Sequence, residues 1–160
     1  MVLASHSYAA YLNASKVHSR AGAHIMLSKD TTVPTRNGPV LTVSQIIKLV
    51  MSSAAEAEIS GLFICAKAMV HIRQTLINMV WPYPKYPIQC DTITSVDVSY
   101  ETIIQHRTKT MNMQYHWLHF REAQGQFWFF WAPGANNISM YSTKNHPPIY
   151  HKSHRPTHAG

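Results

Sequence analysis

Residues 51–79 read MSSAAEAEISGLFICAKAMVHIRQTLINM, and no proline interrupts the chain between Pro39 and Pro82. Ile59, Leu62, Phe63, Ala66, Val70, Leu76 and Ile77 recur at three- and four-residue steps. That spacing predicts an amphipathic helix lying on a core. Ser53 and Glu56 make the pattern Ser-x-x-Glu, a capping box that starts such a helix. The other segments are placed relative to it.

On the N-terminal side, residues 1–11 carry Val2, Leu3, Tyr8 and Tyr11 among small residues and predict a first strand. Residues 13–20 are polar and basic and read as a turn. Residues 22–28, GAHIMLS, predict a second strand. Residues 29–39 hold Pro34, Asn37-Gly38 and Pro39, a loop with a strong turn signal. Residues 40–50 predict a third strand, running to Lys48. Short turns between three strands point to an antiparallel meander.

On the C-terminal side, residues 81–87, WPYPKYP, read as an extended connector because proline cannot donate to a ladder. Residues 88–91 predict a short strand ending in Asp91. A strand after a long helical crossover lies parallel to an earlier strand, and ligands collect at the C-terminal ends of such strands. Residues 92–105 read as a weaker helix and 106–109 as a basic turn. Residues 111–124 read as a helix ended by Gly125, and 127–131, FWFFW, as an apolar strand. Residues 136–144 read as a short last helix. Residues 145–160, rich in His and Pro, read as a flexible basic tail. The expected class is α/β: a mixed five-stranded sheet, three antiparallel strands then parallel ones, with helices on its faces. One domain is expected over residues 1–144.

A chain of 160 residues with 46% apolar content is long enough for one well-formed core. No apolar run is long enough to span a membrane. The first residues carry no basic stretch followed by an apolar one, so no secretory signal is read. Cys65 and Cys90 sit in apolar settings and read as buried thiols of an intracellular protein. Lys and Arg number 14 against 7 Asp and Glu, a net charge of +7, which suits a polyanionic partner. The charged fraction is only 13%, and the many aromatic and Met residues point to surface that a partner covers.

The order of elements, with these residues, resembles the ribonuclease H domain of copia-type retrotransposon polyproteins. The resemblance is carried by SRAGAHIMLS at 19–28, NGPVLTVSQIIKLVMSSAAEAE at 37–58 and PIQCD at 87–91. It continues through RTKTMNMQYHWL at 107–118, REAQGQF at 121–127 and WAPGANN at 131–137. It implies cleavage of the RNA strand of an RNA/DNA hybrid, with a reverse transcriptase as neighbour in a larger polyprotein. It also implies four carboxylates holding two divalent ions, Mg²⁺ or Mn²⁺. Such ions activate a water, stabilise the leaving oxygen and require oxygen ligands.

Carried over residue by residue, the helix acid falls on Glu56 or Glu58, and the strand-end acid on Asp91. Glu56 is preferred. With Ile59, Leu62, Phe63, Ala66 and Val70 as the core face, it lies roughly 60° from the centre of that face and Glu58 about 100°. The two remaining acid positions are degenerate. Tyr8 stands at the position of the first-strand aspartate and Met140 at that of the last. In any register the chain has no Asp or Glu before Asp30 and none after Glu122. Tyrosine and methionine do not hold a hard cation, so two-metal hydrolysis is expected to be lost or very weak.

Plainer roles compete at each position. Glu56 suits a capping box alone, and Asp91 an N-cap. Lys16, Arg20, Arg107 and Lys109 are candidates for phosphate contact, or simply solvated charges. Phe127 to Trp131 can stack bases, but a buried strand is the commoner fate. His116 and His119 qualify for zinc on spacing, but no cysteine sits nearby, and His146, His151, His154 and His158 lie in a tail without a fold signal. Three functional readings follow: a decayed ribonuclease H, a non-catalytic nucleic-acid-binding domain, and a weak ribonuclease H using Glu56, Glu58 and Asp91.

Overall fold

A computed structural model describes residues 1–14, 18–31, 34–80, 84–91, 109–144 and 146–158. Five strands form one sheet: β1 (Val2–Ala14), β2 (His18–Ser28), β3 (Pro39–Ile47), β4 (Tyr86–Cys90) and β5 (Phe127–Trp131). Their order is β3-β2-β1-β4-β5. β1, β2 and β3 pair antiparallel, while β4 pairs parallel with both β1 and β5. This is the expected mixed sheet.

Helix α1 (Ala54–Asn78) is the crossover between β3 and β4 and packs on β1 and β2. Helix α2 (Lys109–Ala123) packs on α1, with Trp117 edge-on to Phe63 at 5.2 Å. After β5 come two 3-10 turns, Gly134–Asn136 and Ile138–Ser142, and then helix α3 (Pro148–His158).

The core lies between α1 and the sheet, with Leu3, Ile25, Met69, Ile88 and Phe127 withdrawn from solvent. Strand alternation divides β1 between two faces. Leu3, Ser5 and Ala9 face α1: Cys65 Sγ donates to Ser5 Oγ at 3.3 Å, and Ala9 Cβ is close to Gly61. His6 and Tyr8 face the C-terminal 3-10 turns. Cys65 and Cys90 are both free and buried, and burial pushes the Cys65 thiol up to about 12.

Several boundaries differ from expectation. The turn expected at residues 13–20 is narrower, because the β1–β2 pairing continues to Ala14 and His18 across an irregularity where Leu12 takes a φ of 51°. Tyr86 and Pro87 belong to β4 rather than to a connector. Pro87 has no N–H, and the pairing with β1 begins just after it, at Ile88. Lys109 is the first residue of α2, not part of a turn. The helix expected at 136–144 is a pair of 3-10 turns.

The tail expected at 145–160 is helical over Pro148–His158. His146, Tyr150 and His154, at four-residue steps, stack at 4.1 and 4.0 Å between ring centroids, and Tyr141 Oη meets His151 Nδ1 at 2.7 Å. These ring contacts supply what the low apolar content does not. The helix expected at 92–105 lies outside the described residues.

The buried face of α1 is rotated from the face read in the sequence. Glu58, Leu62, Cys65 and Met69, at steps of four, three and four, run down its centre. Phe63 and Val70 are half-buried on the flank. Small residues carry the closest approach: a Cβ on Gly61 would stand 3.2 Å from the Ala9 Cβ.

Candidate functional site

A corner of the molecule is built from β1, the first turns of α1, the end of β4 and the second 3-10 turn. The turn is clamped to the sheet first. Asn137 Nδ2 donates to Ser7 O at 2.8 Å, and Asn137 Oδ1 accepts from the backbone N–H and the hydroxyl of Ser139. The Ile138 N–H donates to His6 Nδ1 at 3.2 Å. Burial holds His6 down to about 3, with the charges of His24 and Arg36 adding to the effect. His6 is therefore neutral and free to accept. Farther along, Asn13 Nδ2 donates to Thr143 O at 3.1 Å and Ser44 Oγ to Ser142 O at 2.7 Å.

These clamps fix where Met140 and Lys144 stand. Lys144 Nζ lies over the Tyr8 ring, 4.9 Å from its centroid, and 3.8 Å from Met140 Sδ. Asp91 follows the last residue of β4. Its backbone oxygen accepts from Trp131 Nε1 at 3.1 Å, which ties the end of β4 to the end of β5. Its side chain is half-buried against Gly134, where an added Cβ would stand only 2.8 Å from Asp91 Oδ1. Burial raises the Asp91 carboxyl above its ordinary range, and the Lys144 ammonium pulls it back down.

Glu58 completes the corner. It is buried, and its carboxyl is pushed up to about 8, first by desolvation and then by the charge of Asp91. A backbone hydrogen bond from Ala9 opposes that rise. The amide is available because the β1–β4 pairing ends at His6 and Gln89, before Ala9. Desolvation of this kind favours the neutral form of the carboxyl.

Glu56, the acid preferred in the sequence, points elsewhere. Its carboxylate accepts from Ser52 N and Ser52 Oγ, both at 2.8 Å, while its own N–H donates to Ser53 Oγ at 3.2 Å. It closes the N-terminus of α1. The wheel misplaced both acids because it was centred on Phe63 and Val70. Tyr8 and Met140 both meet the Lys144 ammonium, and Glu58 and Asp91 act on one another electrostatically near the end of β4. Lys144 was not anticipated.

The other candidates are dispersed. Arg20 lies half-buried on β2, paired with Ala10 and Ile46, and Lys109 is exposed at the start of α2. Lys16 and Arg107 lie outside the described residues. Phe127 and Phe129 are buried, while Trp128 and Phe130 stand half-buried on the other face of β5. His116 and His119 both pack against the Tyr115 ring. Among the described residues, no three His, Cys, Asp or Glu side chains group closely enough to hold a metal ion.

This architecture has counterparts among solved structures. LC11 ribonuclease H1, isolated from compost by a metagenomic approach, superposes with a TM-score of 0.62 over 88% of this chain and 91% of its own, at 12% identity. The fold is that of ribonuclease H. The same compost enzyme in complex with an RNA/DNA hybrid gives a TM-score of 0.57 over 85% of this chain and 88% of its own, at 10% identity. The protease–reverse transcriptase of prototype foamy virus gives 0.55 at 12% identity, over 88% of this chain and 19% of the viral one.

In sequence, 81 residues, or 51% of the chain, are 27% identical to the retrovirus-related Pol polyprotein of transposon TNT 1-94 from Nicotiana tabacum. The match spans 6% of that polyprotein. The resemblance to retrotransposon polyproteins read from the residues is thus met by an independent match. No protein-family profile matches the chain.

The ribonuclease H resemblance implies a pair of divalent ions, and the donor set of this corner does not fit them. Among the described residues two carboxyls stand here, Glu58 and Asp91. The remaining groups are a phenol ring, a thioether and an ammonium. Hard divalent cations take oxygen ligands, which a thioether and an ammonium do not supply, and the fixed positive charge repels them.

Proposed function

We propose that this chain is a ribonuclease H-fold domain of retroelement origin that keeps affinity for nucleic acid and has lost hydrolysis. The observation that carries the reading is the composition of the corner at the end of β4: Glu58 and Asp91 remain, while Tyr8 and Met140 fill the other two acid positions. Glu58 takes the role that the sequence gave to Glu56. With two acids here among the described residues and a lysine beside the other two positions, a hydroxide-generating pair of ions is not expected to assemble.

Binding is supported by charge. A net charge of +7 on 160 residues favours a polyanion, and phosphate neutralisation by Lys and Arg dominates such affinity. An RNA/DNA hybrid is the proposed ligand, with Arg20 and Lys109, and by resemblance Lys16 and Arg107, as its phosphate contacts. A reverse transcriptase portion of a larger polyprotein is the proposed protein partner, and an intracellular compartment the proposed location.

The test uses one labelled RNA/DNA hybrid and two readouts. Fluorescence anisotropy is expected to show binding that weakens linearly on a log–log plot against salt. Gel analysis with Mg²⁺ or Mn²⁺ is expected to show no cleaved RNA. Cleavage abolished by Glu58→Gln or Asp91→Asn overturns the loss of hydrolysis and establishes a weak ribonuclease H. Absence of binding at low salt overturns the affinity.

A further inference from the structure

We propose that Lys144 is a tethered counter-ion: its ammonium stands over Tyr8 and beside Met140, supplies the positive charge there, and closes the corner to divalent cations. This goes beyond the loss of two ligands. Loss alone leaves a weakened cation site, whereas a built-in cation replaces what the site held. The inference rests on reading this corner as a former metal site, and its test involves no nucleic acid.

Three observations carry it. The first is position. Lys144 follows Thr143, which is buried and fixed on both sides: its backbone oxygen accepts from Asn13 Nδ2, and its Oγ1 donates to Met140 O at 3.0 Å. The backbone that launches the lysine is therefore held against the sheet. A long side chain on a fixed base has a limited range, so a charge at its tip acts as a local feature of the site.

The second observation is the company the ammonium keeps. It lies over the Tyr8 ring at 4.9 Å and beside Met140 Sδ at 3.8 Å. These are the two side chains at the degenerate acid positions. An aromatic face attracts a cation through its quadrupole, and a thioether is a weak but willing acceptor. Both tolerate an ammonium where neither ligates a hard dication. The replacements thus remove two acids and create a berth for a lysine in the same place.

The third observation is charge. The Lys144 ammonium sits where the two degenerate acid positions meet, and its charge also reaches Asp91, whose carboxyl burial raises and Lys144 lowers. A dication entering beside Tyr8 and Met140 meets that positive charge first and has to displace the lysine.

The test measures Mn²⁺ binding by water-proton relaxation and by the metal-induced shift in melting temperature. Lys144 is exposed, so its substitution leaves the core intact. The native chain is expected to show no saturable Mn²⁺ binding in the millimolar range. Lys144→Glu replaces the ammonium with a third carboxylate and is expected to bind Mn²⁺ on the order of tenfold tighter or more. Lys144→Gln, which removes only the charge, is expected to give a smaller gain and serves in place of Lys144→Glu if that variant does not fold. Lys48→Glu, an equal change of net charge at the exposed end of the meander, is expected to give no gain. Three outcomes overturn the proposal: affinity in the Lys144 variants equal to that of the native chain, an equal gain in Lys48→Glu, or saturable millimolar binding by the native chain itself.

Discussion

Glu58, on the first turns of α1, accepts a hydrogen bond from the backbone N–H of Ala9 on β1, and it does so beside Asp91. A helix and a strand are thus joined by a carboxyl whose neutral form burial favours. The approach is possible because Gly61, one turn later, lets the helix settle on Ala9. This contact makes the corner sensitive to pH.

The Glu58 carboxyl is raised from 4.5 to about 8 in the folded state. Between those values the folded chain holds a proton that the unfolded chain has released, so stability falls as pH rises through this window. The contribution is on the order of 3–5 kcal/mol at full ionisation, one pKa unit being about 1.4 kcal/mol. Urea unfolding at a series of pH values is expected to show the decline. Glu58→Gln removes the ionisation and is expected to flatten the profile above pH ~5. A decline of equal size in Glu58→Gln would assign it to another group.

His6 works in the opposite direction. Its value is lowered from 6.5 to about 3, so the unfolded chain binds a proton that the folded chain refuses. Stability from this group is present above the unfolded value and is lost as pH falls toward the folded one. The native chain is therefore expected to be most stable at mildly acidic pH, between the two trends. His6→Asn is expected to weaken the acid limb selectively. NMR of the His6 ring supplies a direct check, since the ring is expected to stay neutral well below pH 6.

Glu56 is expected to matter for the helix end alone. Glu56→Ala removes the acceptor of both Ser52 bonds and is expected to cost about 1 kcal/mol in urea unfolding. Hybrid affinity is expected to stay unchanged. A loss of affinity without loss of stability would return Glu56 to the site.

Gly22 is the contact that admits the 3-10 turn to the sheet. A Cβ there would stand 2.4 Å from Thr143 Cγ2 and 2.8 Å from the backbone oxygen of Ser139. Gly22→Ala is expected to destabilise by about 1–3 kcal/mol, as overpacking does, and to displace Lys144 with its turn. The thermal midpoint gives the first effect and the Tyr8 ring chemical shifts the second.

Much of the fold was legible in local pattern. Proline-free helical spacing marked α1, apolar runs marked the strands, and the long crossover required β4 to lie parallel to an earlier strand. Asp91, Tyr8 and Met140 came from motif resemblance, and two of them, Tyr8 and Met140, flank the Lys144 ammonium. The centre of the buried face is hard to read because Phe63 and Val70 are large but only half-buried, Phe63 against Trp117, while Gly61 and Cys65 are small and meet Ala9 and Ser5 on β1. Lys144 carries no periodic signal, since its meaning comes from tertiary contacts with β1. Helix α3 escaped because stacked His and Tyr rings count little on an apolar scale.

The placement of β1 also governs the order of assembly. β1 and β2 are adjacent in the chain and can zip together as a hairpin without distant help. The other edge of β1 stays open until Ile88 and Gln89 arrive, after the whole of β3 and α1. Closing that gap carries the larger loop-closure entropy, and pairings of long sequence separation are slow to form. The docking of β4 is thus expected to come late in folding, and the corner at Asp91 is completed only when it occurs. A chain halted before β4 would present an unpaired central strand, open to capture by any extended segment nearby.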